Sequence, residues 1–239
     1  MKFRDKIELT LDEYEQRGEN NMSNDSKRLG HLLIAGDTGS GKSVAENQIV
    51  KALLKKGAHL YLIDPKMVEL NEYKDEENVV GYGDNIPDIS DAIRHAYMEL
   101  YSRLQIMKEK GIKTFPGNSI YVVIDEMLPI MSEKEYKKNG TINYLNQIAI
   151  LGRAARVYLI VCTQRCTRKN VPELVKTCFF NRLCLRQYDT RDYDYVLNQK
   201  VEPFYSMYGE CYLRQAGRPA ELMKTDDAVR LLLKDCEEN

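Results

Sequence analysis

The sequence predicts a three-layer α/β fold, a mostly parallel sheet with helices on both faces. Three observations carry this expectation. Short apolar runs alternate with helix-compatible stretches along the chain. The run Ile120-Tyr121-Val122-Val123-Ile124 is apolar at every position, as a strand covered on both faces must be. Residues Gly36-Asp37-Thr38-Gly39-Ser40-Gly41-Lys42-Ser43 read G-x-x-x-x-G-K-S, a phosphate-binding loop that needs a strand before it and a helix after it.

Both flanks are present. His31 to Ala35 is short, apolar and strand-like, and Val44 to Lys56 is helix-compatible. A second strand, Ala58 to Ile63, is stopped by Asp64-Pro65-Lys66, because proline cannot donate to a ladder. Asn71 to Asn78 is charged and reads as exposed. Ile89, Ile93, Ala96, Leu100, Leu104 and Met107 recur at helical spacing and form the apolar stripe of a long helix ending near Gly111. After the strand Ile120 to Ile124, a helix is expected over Thr141 to Arg156 and a buried strand over Val157 to Cys162. A short helix over Val171 to Cys178, a strand over Asn181 to Arg186 and a helix over Asp189 to Leu197 follow. Two closing strands, around Gly209 to Leu213 and Ala220 to Met223, precede a helix from Thr225 to Lys234. The domain reading is a polar N-terminal segment, residues 1–29, and one α/β domain built on the phosphate loop, residues 30–239.

Composition narrows the class. The 239 residues are 43% hydrophobic and 30% charged, which suits a globular protein with a substantial core. The formal net charge of −1 advertises no global field for nucleic acid, so any such contact must be local. No apolar run approaches the roughly 20 residues of a membrane span, and Met1 to Asp5 begins no signal peptide. The reading is cytoplasmic. The six cysteines lack the paired spacing of a zinc site and read as reduced thiols.

The chemistry concentrates after strands. Gly36, Gly39 and Gly41 let the backbone curl so that its N–H groups converge on phosphate oxygens. Asp37, Thr38 and Ser40 complete the loop, Lys42 reaches the β- and γ-phosphates, and the Ser43 hydroxyl suits Mg²⁺. Asp125-Glu126 ends the strand Ile120 to Ile124. Asp125 fits the Mg²⁺ shell and Glu126 the general base that polarises an attacking water. Thr163-Gln164-Arg165 ends the next strand, with Gln164 placed to sense the γ-phosphate and Thr163 to line the site. ATP and Mg²⁺ are the ligands this set implies. A small-molecule kinase would need no water-activating carboxylate beside the Asp.

Taken in order, His31 through Ser43, Asp64-Pro65-Lys66-Met67-Val68-Glu69-Leu70, Val123-Ile124-Asp125-Glu126, Gly152-Arg153-Ala154-Ala155 and Thr163-Gln164-Arg165 resemble the motor domain of the FtsK/SpoIIIE family of DNA translocases. The resemblance runs from about His31 to Met223, and its Asp-Pro-Lys run is the most discriminating part. Two departures stand out: Cys166 replaces a proline, and Arg156 stands where a glycine is usual. The resemblance implies a RecA-like fold, a hexameric ring, ATP hydrolysis and movement of double-stranded DNA through a pore. The compact layout is similar to motors of conjugative elements and plasmids. A coupling ATPase that delivers relaxase-bound single-stranded DNA to a membrane channel is therefore the alternative, with a relaxase or membrane-anchored partner. In such rings an arginine from one subunit completes the neighbour's site, and Arg153 and Arg182 are the candidates. Arg165, Arg168, Lys169 and Lys176 form a basic cluster that would contact DNA phosphates, with Lys137 and Lys138 nearby in the loop after Asp125-Glu126.

Overall fold

The computed structural model describes residues 29–167, 171, 173–204 and 208–234, so the N-terminal segment lies outside the described residues. One eight-stranded sheet organises them, in the order β3-β2-β4-β5-β1-β6-β7-β8. The strands are β1 (Leu32–Ala35), β2 (His59–Ile63), β3 (Val79–Gly83), β4 (Ile120–Ile124), β5 (Val157–Thr163), β6 (Asn181–Cys184), β7 (Glu210–Arg214) and β8 (Glu221–Lys224). The first six pair in parallel, and β6–β7 and β7–β8 pair antiparallel. The helices are α1 (Lys42–Lys55), α2 (Ile86–Lys110), α3 (Met127–Ser132), α4 (Lys134–Lys138), α5 (Thr141–Ala155), α6 (Glu173–Cys178), α7 (Thr190–Leu197) and α8 (Thr225–Lys234).

Alternation along the strands builds two cores. In β1, Leu33 and Ala35 join Ile93 and Ala96 of α2 and Leu145 and Ile148 of α5 on one face. Leu32 and Ile34 join Ile49 and Leu53 of α1 and Val229 and Leu232 of α8 on the other. Strands β1, β4 and β5 are buried at every residue, which is why their sequences are apolar up to the closing Thr163 of β5.

The long helix begins as its sequence requires. Asn85 caps it by accepting from the Asp88 N–H at 3.1 Å, and left-handed Gly111 ends it. The sequence reading missed β3. Its Gly81 and Gly83 hide the strand signal, yet both are needed: a Cβ on Gly83 would lie 2.6 Å from the Ile89 backbone, and one on Gly81 2.6 Å from the Tyr61 ring. The stretch expected to be exposed there also buries Tyr73, on a single 3-10 turn (Asn71–Tyr73). The loop expected after Asp125-Glu126 is instead the two short helices α3 and α4, with Lys137 and Lys138 exposed at the end of α4.

Arg156 explains its own departure. It caps α5 in the left-handed region, φ 57°, where glycine is the easy choice. Its guanidinium donates to the Pro116 carbonyl at 2.9 Å and the Gly117 carbonyl at 2.6 Å, bonds a glycine could not make. Next to it, Gly152 has no alternative, since a Cβ would sit 1.9 Å from the Val157 carbonyl oxygen.

His31 is buried at the start of β1, where its Nδ1 accepts from the Leu159 N–H at 2.9 Å and its ring meets Tyr158 and Phe179 edge-on. Burial, and then the nearby Arg153 charge, pulls its pKa down to about 4. The unfolded chain therefore binds a proton between pH 6.5 and about 4 that the folded chain refuses, so stability falls as pH drops through that window. Denaturant titrations at pH 7.5 and 5 should show a loss of about 2 kcal/mol from this group. His31→Gln, which keeps an acceptor for Leu159 but does not titrate, should flatten the profile by that amount.

Candidate functional site

Parallel pairing places the carboxyl ends of β2, β4, β5 and β1 along one edge, and each carries one of the marked segments. The loop Gly36–Ser43 leaves β1 bonded to both neighbours. Gly36 N–H donates to the Thr163 carbonyl at 3.2 Å, and Asp37 N–H to the Arg186 carbonyl at 3.1 Å. Gly39 and Gly41 are left-handed, φ 75° and 93°, as the tight curl demands. A Cβ on Gly36 would lie 2.4 Å from the Ser40 hydroxyl and 2.9 Å from Leu185, so no other residue fits there.

Lys42 opens α1 and is buried. Its Nζ stands 3.4 Å from Asp125 Oδ1 and donates to the Asp125 carbonyl at 3.3 Å. Burial alone would lower its pKa, but Cys162, Asp125, Glu46 and Glu126 around it outweigh this and hold it above its ordinary value. Asp125 is fully buried, and its Oδ2 accepts no hydrogen bond.

Glu126 is held from several sides. Its Oε1 accepts from the Leu128 N–H at 3.3 Å, capping α3, and its Oε2 accepts from the Gln164 N–H at 3.2 Å. Gln164 thus meets the general-base candidate through its backbone. Thr163 is buried and its hydroxyl donates to the Arg165 carbonyl at 2.9 Å, fixing the turn that presents Gln164.

Two residues without an assigned role in the sequence reading belong to this site. Lys66, from the Asp-Pro-Lys run, lies 3.6 Å from Asp125 Oδ2 and 3.7 Å from Glu126 Oε2. Its loop is pinned by Asp64, which accepts from the Leu70 N–H at 2.9 Å, and Met67 turns it at φ 57°. Glu46, one turn into α1, is buried beneath the loop. Burial pushes its carboxyl up to about 8, and Asp125 adds to this. Lys42 and Lys66 thus face Asp125 and Glu126, two basic side chains against two acidic ones.

The cradle fits a nucleotide with a divalent ion. Gly36 admits no side chain, the loop backbone is curled, Ser40 Oγ and Asp125 Oδ2 are buried without hydrogen-bond partners, and Ser43 is partly exposed at the helix start.

The remaining candidates sit elsewhere. Arg153 is exposed in the last turn of α5, at the edge where β5 begins, opposite the loop. Arg182 lies at that same opposite edge and corrects its expectation. It is buried, and its guanidinium donates to the carbonyls of Phe179 at 2.9 Å, Val196 at 3.0 Å and Lys176 at 3.1 Å. It ties α6 and α7 to β6 within its own chain. Lys176 also departs from the basic cluster: it is buried, donates to the Tyr195 carbonyl at 3.2 Å and covers the Tyr195 ring at 3.5 Å. Arg165 is exposed at the loop edge, while Arg168 and Lys169 lie outside the described residues.

Comparison with known proteins bears on the family and the fold. Residues 3–117 match the model of the FtsK/SpoIIIE family. A protein of Helicobacter pylori named DNA translocase FtsK is 35% identical over 189 residues, covering 68% of this chain and 21% of that protein. The chain thus spans about a fifth of the length of the curated relatives it matches. Among solved structures, the pCW3 conjugation coupling protein TcpA, in a monomer form with ATPγS, superposes with a TM-score of 0.74 at 24% identity, over 86% of this chain and 65% of that one. EssC of Geobacillus thermodenitrificans, in its ATPases 2 and 3, superposes at 0.69 with 15% identity, over 88% and 44%. Both share the mostly parallel P-loop NTPase fold.

The two arginines should separate in a thermal melt. Arg182→Ala removes three buried hydrogen bonds, leaving the Lys176 carbonyl only its bond from the Phe179 N–H at 3.3 Å, and should cost about 3 kcal/mol, lowering Tm by roughly 6–12 °C. Arg153→Ala, from an exposed position, should leave Tm within about 1 °C.

Proposed function

We propose that this chain, a member of the FtsK/SpoIIIE family, is an ATP-hydrolysing motor that moves double-stranded DNA. One observation carries the reading: Lys42, Asp125 and Glu126 converge at the loop edge, with Glu126 oriented by Leu128 and Gln164. The loop N–H groups and Lys42 would hold the β- and γ-phosphates of ATP. Ser43 and Asp125 would hold Mg²⁺, which neutralises charge on those phosphates. Glu126 would take the proton of the attacking water, with Gln164 sensing the γ-phosphate. Lys66 offsets the carboxylate charge until nucleotide arrives.

Arg153 stands across the sheet from its own loop, so a role in hydrolysis would fall to a neighbour's site in a ring, a hexamer by family resemblance. Arg165, Arg168 and Lys169 are the proposed DNA-phosphate contacts. No described helix is long and apolar enough to cross a membrane. A cytoplasmic location, with any membrane recruitment left to a partner, completes the reading. The coupling-ATPase alternative, favoured by the likeness to TcpA, differs in strand preference and in needing a relaxase.

ATPase rates with and without double-stranded DNA, at about 50 and 200 mM salt, test the proposal. DNA should stimulate turnover, and that stimulation should fall steeply with salt as phosphate contacts are screened. Lys42→Ala should abolish hydrolysis. Glu126→Gln should bind ATP normally while turnover drops by about 10²–10⁴. Stimulation by single strands alone would favour the coupling role, and none by either would reject a DNA motor.

Mixed assemblies test Arg153. Arg153→Ala and Lys42→Ala subunits should each be inactive alone, since a finger arginine is worth about 10³–10⁵ in rate. Co-assembled, some interfaces pair an intact Lys42 with an intact Arg153, and activity should partly return. Rings of proven mixed mass that stay silent would remove Arg153 from the role.

A further inference from the structure

A triphosphate held by the loop would have a direction in this site. Asp125 and Glu126 end β4, two strands from β1 on the β5 side, so the γ-phosphate must face that way to meet the water-activating carboxylate. A nucleotide held this way would direct its nucleoside to β1's other side, where the carboxyl end of β6 lies. Residues Leu185 to Tyr188 run there, and their backbone is fixed. Leu185 N–H donates to the Ala35 carbonyl at 2.8 Å, and the Arg186 carbonyl accepts from Asp37. Gln187 N–H donates to the Tyr193 hydroxyl at 2.9 Å, and Tyr188 N–H donates to the Asp37 carboxylate.

On this rigid strip the Tyr188 side chain is 73% exposed. An exposed ring alone means little; here its placement and orientation carry the argument. The Arg186 guanidinium covers the ring at 4.6 Å from its centroid and reaches the hydroxyl at 3.4 Å. One ring face is backed by a cation, and the Tyr188 backbone is tied to the loop residue Asp37. We propose that Tyr188, backed by Arg186, is the stacking platform for the purine base of the bound nucleotide. This rests on the reading of residues 36–43 as an ATP loop.

Equilibrium binding, with no turnover needed, tests it. Base stacking on an aromatic ring predicts that Tyr188→Ala weakens ATP binding by about tenfold or more, while Tyr188→Phe keeps it. Inorganic tripolyphosphate, which has the phosphates and no base, should bind wild type and Tyr188→Ala equally. The chain contains no tryptophan, so Tyr188→Trp places a single tryptophan at the platform, excited selectively over the tyrosines. ATP and ADP should quench it, and tripolyphosphate should not. Equal losses for ATP and tripolyphosphate in Tyr188→Ala would overturn the platform, as would unchanged ATP affinity. Quenching by a single-stranded oligonucleotide but not by ATP would also overturn it. A wild type that binds neither ATP nor tripolyphosphate would instead overturn the phosphate-loop reading, and the platform with it.

Discussion

A lysine ammonium buried at the end of a parallel sheet sets the terms for everything around it. Removing the Lys42 charge from water is tolerable only among opposite charges. Asp125 supplies one at 3.4 Å, fully buried itself and equally dependent on the pairing. The ladders of β1 and β4 with β5 between them set the spacing at which this pair meets. The ion pair also fixes α1, whose first residue is Lys42. Glu46 is buried close by, and burial pushes its carboxyl up. Lys66 balances what remains from outside, half in solvent.

The same sheet separates two kinds of arginine. Helices that return the chain to the start of each strand necessarily end at the edge away from the loop. Arg153 and Arg182 both arrive there, one in solvent and one in the interior. The buried one is consumed by three carbonyls of its own chain. The exposed one stands at the edge opposite the loop, away from Lys42 and Asp125, which is why its proposed role is toward a neighbouring subunit.

Much of the site was legible because its signals are local. The loop needs glycines at fixed offsets, and the carboxylate pair must follow an apolar strand, so both announce themselves within a few residues. Lys66 and Glu46 were not legible in this way. Lys66 acts through a loop that Asp64 pins and Met67 turns, and only pairing of β2 with β4 brings it to Asp125. Glu46 reads as an ordinary helix surface residue until α1 is packed beneath the loop. Tyr188 reads as a turn residue until β6 is set beside β1. Lys176 and Arg182 misled for the converse reason: basic residues in a sequence look solvated, and only packing reveals a carbonyl waiting for each.

The sequence by itself determined the fold class, the strand and helix periods, the phosphate loop and the Asp125-Glu126 pair, because each is set by short-range pattern and backbone sterics. Even the left-handed turn at Arg156 left a trace there, as an arginine in a glycine's place. Tertiary structure alone decided the strand order, the edge on which each charge falls and which polar groups are buried. Those depend on contacts between residues far apart in the chain, where a charge is worth little in water and a great deal in the interior.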